Sequence, residues 1–262
     1  MDVIGKKYFT VKMHLWVHLC KSDGPGTICQ RILLADAYAK KNRYIFRGII
    51  SKQEGRRNYW HHDVFYRDIN QFFNLNIRGL DKFEERSINI YLESDYILEE
   101  VEKNIDSYCT KEWKEERTKN IKTKPRSQLS VHVRRGDVRK DNHPMRYVTD
   151  QQYINMIEKI YEEIGDKPLV IHSQAPFNGD KRLYKKYNPE IRLDSTGKSS
   201  EPSELKKLTY AIFSDWEIMI NSEFMISAKS SFSYVPALLS TNTVYHIPFW
   251  HKPLKTWKLL SL

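Results

Sequence analysis

The stretch Leu129-Ser130-Val131-His132-Val133-Arg134-Arg135-Gly136-Asp137 alternates apolar Leu129, Val131 and Val133 with polar neighbours. That is the period of a strand. Gly136 permits a tight turn at its end, where a β-carbon would be resisted. A buried strand that delivers His132, Arg134 and Arg135 to its carboxyl end sets donors where open α/β sheets bind ligands. Arginine suits that place because its planar fork holds phosphate oxygens in pairs and stays charged. The stretch therefore predicts a phosphate-bearing ligand at the end of a central strand.

Working outward, strands and helices alternate. Thr10–Leu19 reads as a strand, Ser22–Gly26 as a turn, and 27–40 as a mostly apolar helix with Thr27 as its cap. Tyr44-Ile45-Phe46 follows as a second strand, and Gly24 and Gly26 let backbone N–H groups approach a ligand. Ser94–Lys119 reads as one long charged helix, and 120–127 as a linker. After the arginine strand come a helix at 149–164, a strand at 168–173, a helix at 181–187 and a short strand at 191–193. The chain closes with a helix at 205–222, strands at 224–228 and 244–247, and a helix at 232–239 between them. The expected fold is α/β with two doubly wound, Rossmann-like halves, 1–124 and 125–262.

Composition narrows the partner. The 262 residues carry a net charge of +10, which favours an anionic ligand. The densest basic run, Lys111–Arg126, reads as a solvated helix face and linker. Cys20, Cys29 and Cys109 make neither a metal spacing nor a disulfide framework, which points to a reducing compartment. No segment has the ~20 apolar residues of a membrane span, so the expectation is a soluble, cytoplasmic protein with no membrane span. Nucleic acid is the weaker anionic partner, because no reader motif is present. A P-loop is absent, since Arg192 stands where the glycine leading to Gly197-Lys198-Ser199 belongs. Residues 54–78 are dense in aromatic and basic groups and read either as core or as a wall that grips an acceptor. His61-His62 finds no convincing third ligand, so no metal is expected.

Two polar features join the arginine strand. Asp215 interrupts an apolar helix, either as a solvated position or as a carboxylate that accepts from a base such as guanine. Sixteen residues on, Ser230-Ser231-Phe232 ends a strand and opens a helix, where N–H groups and hydroxyls make an anion site as well as an N-cap.

On these residues the sequence resembles the α1,2-, α1,6- and protein O-fucosyltransferases. His132–Asp137 is similar to their first motif, Gly24–Ala39 with Gln30 to their glycine-rich motif, and Asp215–Ser233 to their C-terminal motif. The resemblance implies a GT-B-like fold whose two domains face a cleft, 1–124 on the acceptor side and 125–262 binding the nucleotide-sugar donor. It implies an inverting, metal-independent transferase that moves a sugar, L-fucose from GDP-fucose, to a hydroxyl of a glycan acceptor without a cofactor. Arg134 would neutralise the departing diphosphate, and His132 and Asp215 would contact guanine. Ser230, Ser231 and Phe232 with their N–H groups would hold phosphate, and Gly24 and Gly26 would line the donor site. Arg135 and Asp137 would support it. Some family members carry a glutamate base where Asn142 stands here; a one-residue shift of the loop would let Asp141 serve as the catalytic base, with His143 the weaker candidate. Another nucleotide-sugar donor, or a catalytically silent nucleotide- or glycan-binding relative, are the alternatives.

Overall fold

The computed structural model describes residues 12–19, 24–51, 63–75, 87–194 and 202–262. The readings placed on Cys20, His61-His62, the P-loop-like 197–199 and most of the aromatic stretch before 63 lie outside these residues. The first half holds β1 (Lys12–Leu19), α1 (Pro25–Lys41), β2 (Ile45–Ser51), α2 (Asp63–Phe72), β3 (Ser87–Glu93), α3 (Ser94–Lys103), α4 (Ile105–Tyr108) and α5 (Lys111–Arg117). The second holds β4 (Arg126–Val133), α6 (Asp150–Ile164), β5 (Leu169–Gln174), α7 (Lys181–Tyr184), β6 (Glu190–Asp194), α8 (Pro202–Asn221), β7 (Ser222–Ser227), α9 (Ser231–Leu239), β8 (Thr243–His246) and β9 (Lys258–Leu259).

The strands form two parallel sheets, one in the order β2-β1-β3 and one in the order β6-β5-β4-β7-β8-β9. Counted from β4, the larger sheet runs 3-2-1-4-5-6, the dinucleotide-fold order. Its direction of winding reverses between β4 and β7, and such a reversal opens a crevice at the carboxyl ends of the strands. One face packs Val131, Ile171, Ile226 and Tyr245 against α6. The other carries Met225 and Val244 into a core with α8 and α9, so helices cover both faces. The α/β class and the parallel, doubly wound larger sheet agree with the sequence.

Three local readings change. The helix expected over 94–119 is α3, α4 and α5, because the chain leaves helical geometry at Asn104 and Cys109. Thr110 then starts α5 afresh by accepting from the Trp113 N–H at 3.3 Å. Thr27 is not the cap of α1, which begins at Pro25 after an N-cap at Gly24; proline suits a first turn whose N–H has no helical partner. The basic run is not wholly solvated. Buried Lys114 donates to the Ser240 carbonyl at 2.9 Å, and buried Arg117 donates to that of Asn74 at 2.7 Å and lies 3.4 Å from Asp36. In the aromatic stretch, Phe65 and Phe73 are core, and Phe72 stacks on Phe213 of α8 with centroids 4.3 Å apart. Of the helices among the described residues, none is long and apolar enough to cross a membrane.

Candidate functional site

The parallel register lines up one polar residue from each of five strands. Arg192 pairs with His172 and His172 with His132. Val131 pairs with Ile226, so His132 stands beside Ser227, which pairs with His246. Side chains alternate along a strand, so the row shares the face of Met225 and Val244, toward α8 and α9. It sits at the carboxyl ends, where the winding reverses.

Each end of the row is held differently. Asp215 reaches it from α8, 2.6 Å from Arg192 Nε and 3.3 Å from His172 Nδ1. It is 2% exposed, not a solvated helix position. Deeper in, Ser130 contacts His172 Nε2 at 3.3 Å and Ser222 at 2.7 Å. Toward the other end, His132 Nδ1, Ser227 Oγ and both ring nitrogens of His246 are buried and have no hydrogen-bond partner among the described residues. Buried polar atoms are normally paired, and these four lie on one face of the sheet, on strands that flank or adjoin the β4/β7 reversal. Burial holds the His132 pKa well below the usual imidazole value, and the Arg134 charge adds to the effect. His246 is held down to about 4 by burial. Both rings are therefore neutral at pH 7.

Beyond the row the two arginines part. Arg134 is partly exposed and ion-paired with Asp137 across the Gly136 turn. Gly136 has φ +80°, a conformation that disfavours a β-carbon. Arg135 is 2% exposed and points inward, its Nη2 2.6 Å from Asp150 and its Nη1 3.0 Å from the Val148 carbonyl. It lies over Tyr147 and Tyr153, so it anchors the 134–149 loop to α6. Asn142 ties the loop inside, accepting from the Arg139 N–H at 2.8 Å and donating to the Asp137 carbonyl at 2.9 Å. Asp141 is exposed and pairs with the equally exposed Arg139 at 3.3 Å.

The first turns of two helices complete the site. Ser230 caps α9, its hydroxyl accepting from the Phe232 N–H at 3.3 Å. The Phe232 ring lies over His132 with centroids 5.1 Å apart, and its carbonyl accepts from the Trp216 indole at 2.8 Å. Gly26 brings the start of α1 against this turn: a β-carbon there would lie 2.5 Å from the Phe232 nitrogen. Gly24 meets no such limit. Thr27 contacts Ser231 at 3.4 Å, and Ser231 contacts His251 Nε2 at 2.9 Å. His251 Nδ1 lies 3.0 Å from the Gln30 amide.

Of the residues singled out in the sequence, the structure gathers His132, Ser230, Ser231, Phe232, Gly24 and Gly26 at the β4/β7 reversal, with Arg134 and Asp137 beside them. Asp215 stands at one end of the row. Arg135 is turned to Asp150, and Asp141 is paired with Arg139. Sequence reasoning missed His172, Ser227, His246 and His251. The first three share a signal, a polar residue near the carboxyl end of an apolar strand, that becomes a row only when the register is known.

No family model matches the chain, and no curated protein sequence matches it. Among solved structures, the Escherichia coli heptosyltransferase WaaC with ADP-2-deoxy-2-fluoro heptose overlaps 95% of this chain and 93% of its own. Its identity is 10% and its TM-score 0.47. An arginine-to-lysine mutant of Arabidopsis thaliana FUT1 in complex with GDP overlaps 96% of this chain and 73% of its own, at 8% identity and a TM-score of 0.41. Overlaps this loose identify neither a family nor a substrate.

Proposed function

We propose that the protein is a glycosyltransferase with a GT-B-like fold that takes a nucleotide-sugar donor, GDP-fucose first among the candidates, and transfers the sugar with inversion to a glycan hydroxyl. The observation that carries this reading is the position of Arg134. It stands at the carboxyl end of β4, one strand from the capped start of α9, at the reversal of a 3-2-1-4-5-6 sheet. Adjacent strands lie ~5 Å apart, a span that a diphosphate covers.

The chemistry follows from charge. Breaking the C1–O bond leaves positive charge on the sugar and negative charge on the diphosphate. Arg134 meets the second of these, and the α9 N–H groups add partial positive charge. An interaction that strengthens as charge develops lowers the barrier, typically by ~3–4 kcal/mol for one well-placed donor. In this reading Asp137 holds Arg134 until the phosphate displaces it. Neutral His132 and buried Asp215 supply the donor and acceptor edges that a guanine needs. The inverting attack comes from the face opposite the nucleotide.

The test is turnover. Purified protein is incubated with GDP-fucose, GDP-mannose, ADP-, UDP- and CMP-sugars, and nucleotide release is followed with and without glycan acceptors. Multi-turnover release from a GDP-sugar is expected, with kcat reduced at least 100-fold in Arg134→Ala at an unchanged thermal midpoint. Binding of GDP without turnover would favour the silent-relative reading, for which the exposed, Arg139-paired Asp141 speaks. An Arg134→Ala enzyme with full activity would overturn the assignment of the leaving-group site.

A further inference from the structure

After β8 the chain crosses the carboxyl edge of the larger sheet as Ile247-Pro248-Phe249-Trp250-His251. Trp250 is 58% exposed. A single exposed aromatic is ordinary, but this one is fixed. Its indole N–H donates to His251 Nε2 at 2.9 Å, and His251 is itself buried against Ser231 and Gln30. On the other side of the ring the Gln30 amide nitrogen lies 3.0 Å from His251 Nδ1. Phe249 packs on the indole, and the Arg146 guanidinium stands 5.2 Å from the indole centroid. Lys229 in the β7–α9 turn donates to the Met145 carbonyl at 3.0 Å, which ties the 134–149 loop to the same rim. The result is a flat apolar face held beside a cation.

Strand order sets what this face meets. Asp215 and Arg192 lie at the β5/β6 end of the row, Arg134 and α9 at its middle, and Trp250, in the segment after β8, is tied through His251 to Ser231 at the start of α9. On the reading of the preceding subsection, a nucleoside toward Asp215 and a diphosphate at Arg134 send the donor sugar toward β8. We infer that Trp250 and Arg146 form the acceptor subsite, where a pyranose ring of the acceptor glycan lays its C–H face on the indole and a ring hydroxyl accepts from the guanidinium. A pyranose has an apolar C–H face and a polar rim, which match an indole with a donor at its edge.

The wild type, Trp250→Ala and Trp250→Phe are compared on a printed library of oligosaccharides, and each is titrated with GDP by calorimetry. The wild type is expected to bind a set of pyranosides. Trp250→Ala should weaken that binding at least tenfold at an unchanged thermal midpoint, and Trp250→Phe should keep part of it because a flat ring remains. Absence of glycan binding by the wild type, or equal binding by Trp250→Ala, would overturn the subsite. Glycan binding that depends on Trp250 in a protein that never binds GDP would instead overturn the nucleotide-sugar reading and leave a pyranose site in place.

Discussion

Arg134 and Arg135 are neighbours in sequence with opposite surroundings, and this separates their expected phenotypes. Arg135 is enclosed by Asp150, two carbonyls and two tyrosine rings. Its replacement by alanine leaves half-buried Asp150 without its charged partner and empties a buried site, a change that costs roughly 3 kcal/mol. Arg135→Ala should therefore lower the urea midpoint sharply, whereas Arg134→Ala should leave it in place. Equal midpoints for the two variants would contradict this division. A second residue-scale expectation concerns acid. His246 is held near 4 in the fold, against 6.5 for an ordinary histidine. The folded state therefore resists a proton that the unfolded chain takes up, so stability is level above about pH 7 and falls as pH drops through 6.5 toward 4. Between pH 7.5 and 5 the loss from this ring is about 2 kcal/mol. His132, depressed in the same direction, steepens the slope. His246→Phe should flatten the acid limb of a thermal-midpoint profile, and an unchanged limb would remove His246 as its source.

Among the elements, the helix starts at 24–26 and 230–232 constrain each other. A β-carbon at Gly26 would meet the backbone of Ser231 and Phe232 at 2.5–2.8 Å, where no flexible side chain can give way. Gly26→Ala should thus cost roughly 1–3 kcal/mol through overpacking and weaken GDP binding by moving the first turn of α9. Gly24→Ala, which meets nothing within 4 Å, should change stability by less than about 1 kcal/mol. Thermal melts of the pair decide this. Elements with strong local signals were legible in the sequence: β4 from its alternation and α9 from its serine cap; the sequence places α6 at 149–164, and the structure adds a Thr149–Gln152 capping box at its start. β3 was not, because Ile88, Ile90 and Leu92 sit in a stretch with no turn residue before the helix at Ser94. The break at Asn104 was hidden by a helical apolar period that runs through it. The histidine row stayed invisible for another reason: strand order and register arise from tertiary packing and leave no mark on any single strand.

Over the whole molecule, the cores do not divide where the chain does. Leu15, Val17, Ile28 and Ile32 share one cluster with Trp216 and Met219 of α8 and Tyr234 and Leu238 of α9. Lys114 and the Glu217 carboxylate, which accepts the N–H groups of Lys122 and Thr123 at 3.0 Å, add polar ties across the chain boundary near 124. Heat should therefore unfold both halves in one transition, with calorimetric and van't Hoff enthalpies equal. Two resolved transitions would show that the shared core is not cooperative. The same packing sets the start of α1 against the start of α9, so the candidate site draws on both halves. Arg134 is proposed to receive a nucleoside diphosphate there, and a crystal structure with GDP tests this most directly. The diphosphate is expected within hydrogen-bonding distance of the Arg134 guanidinium and the first turn of α9, with the Asp137 pair opened. GDP bound elsewhere, or a diphosphate that leaves Arg134 locked on Asp137, would contradict it.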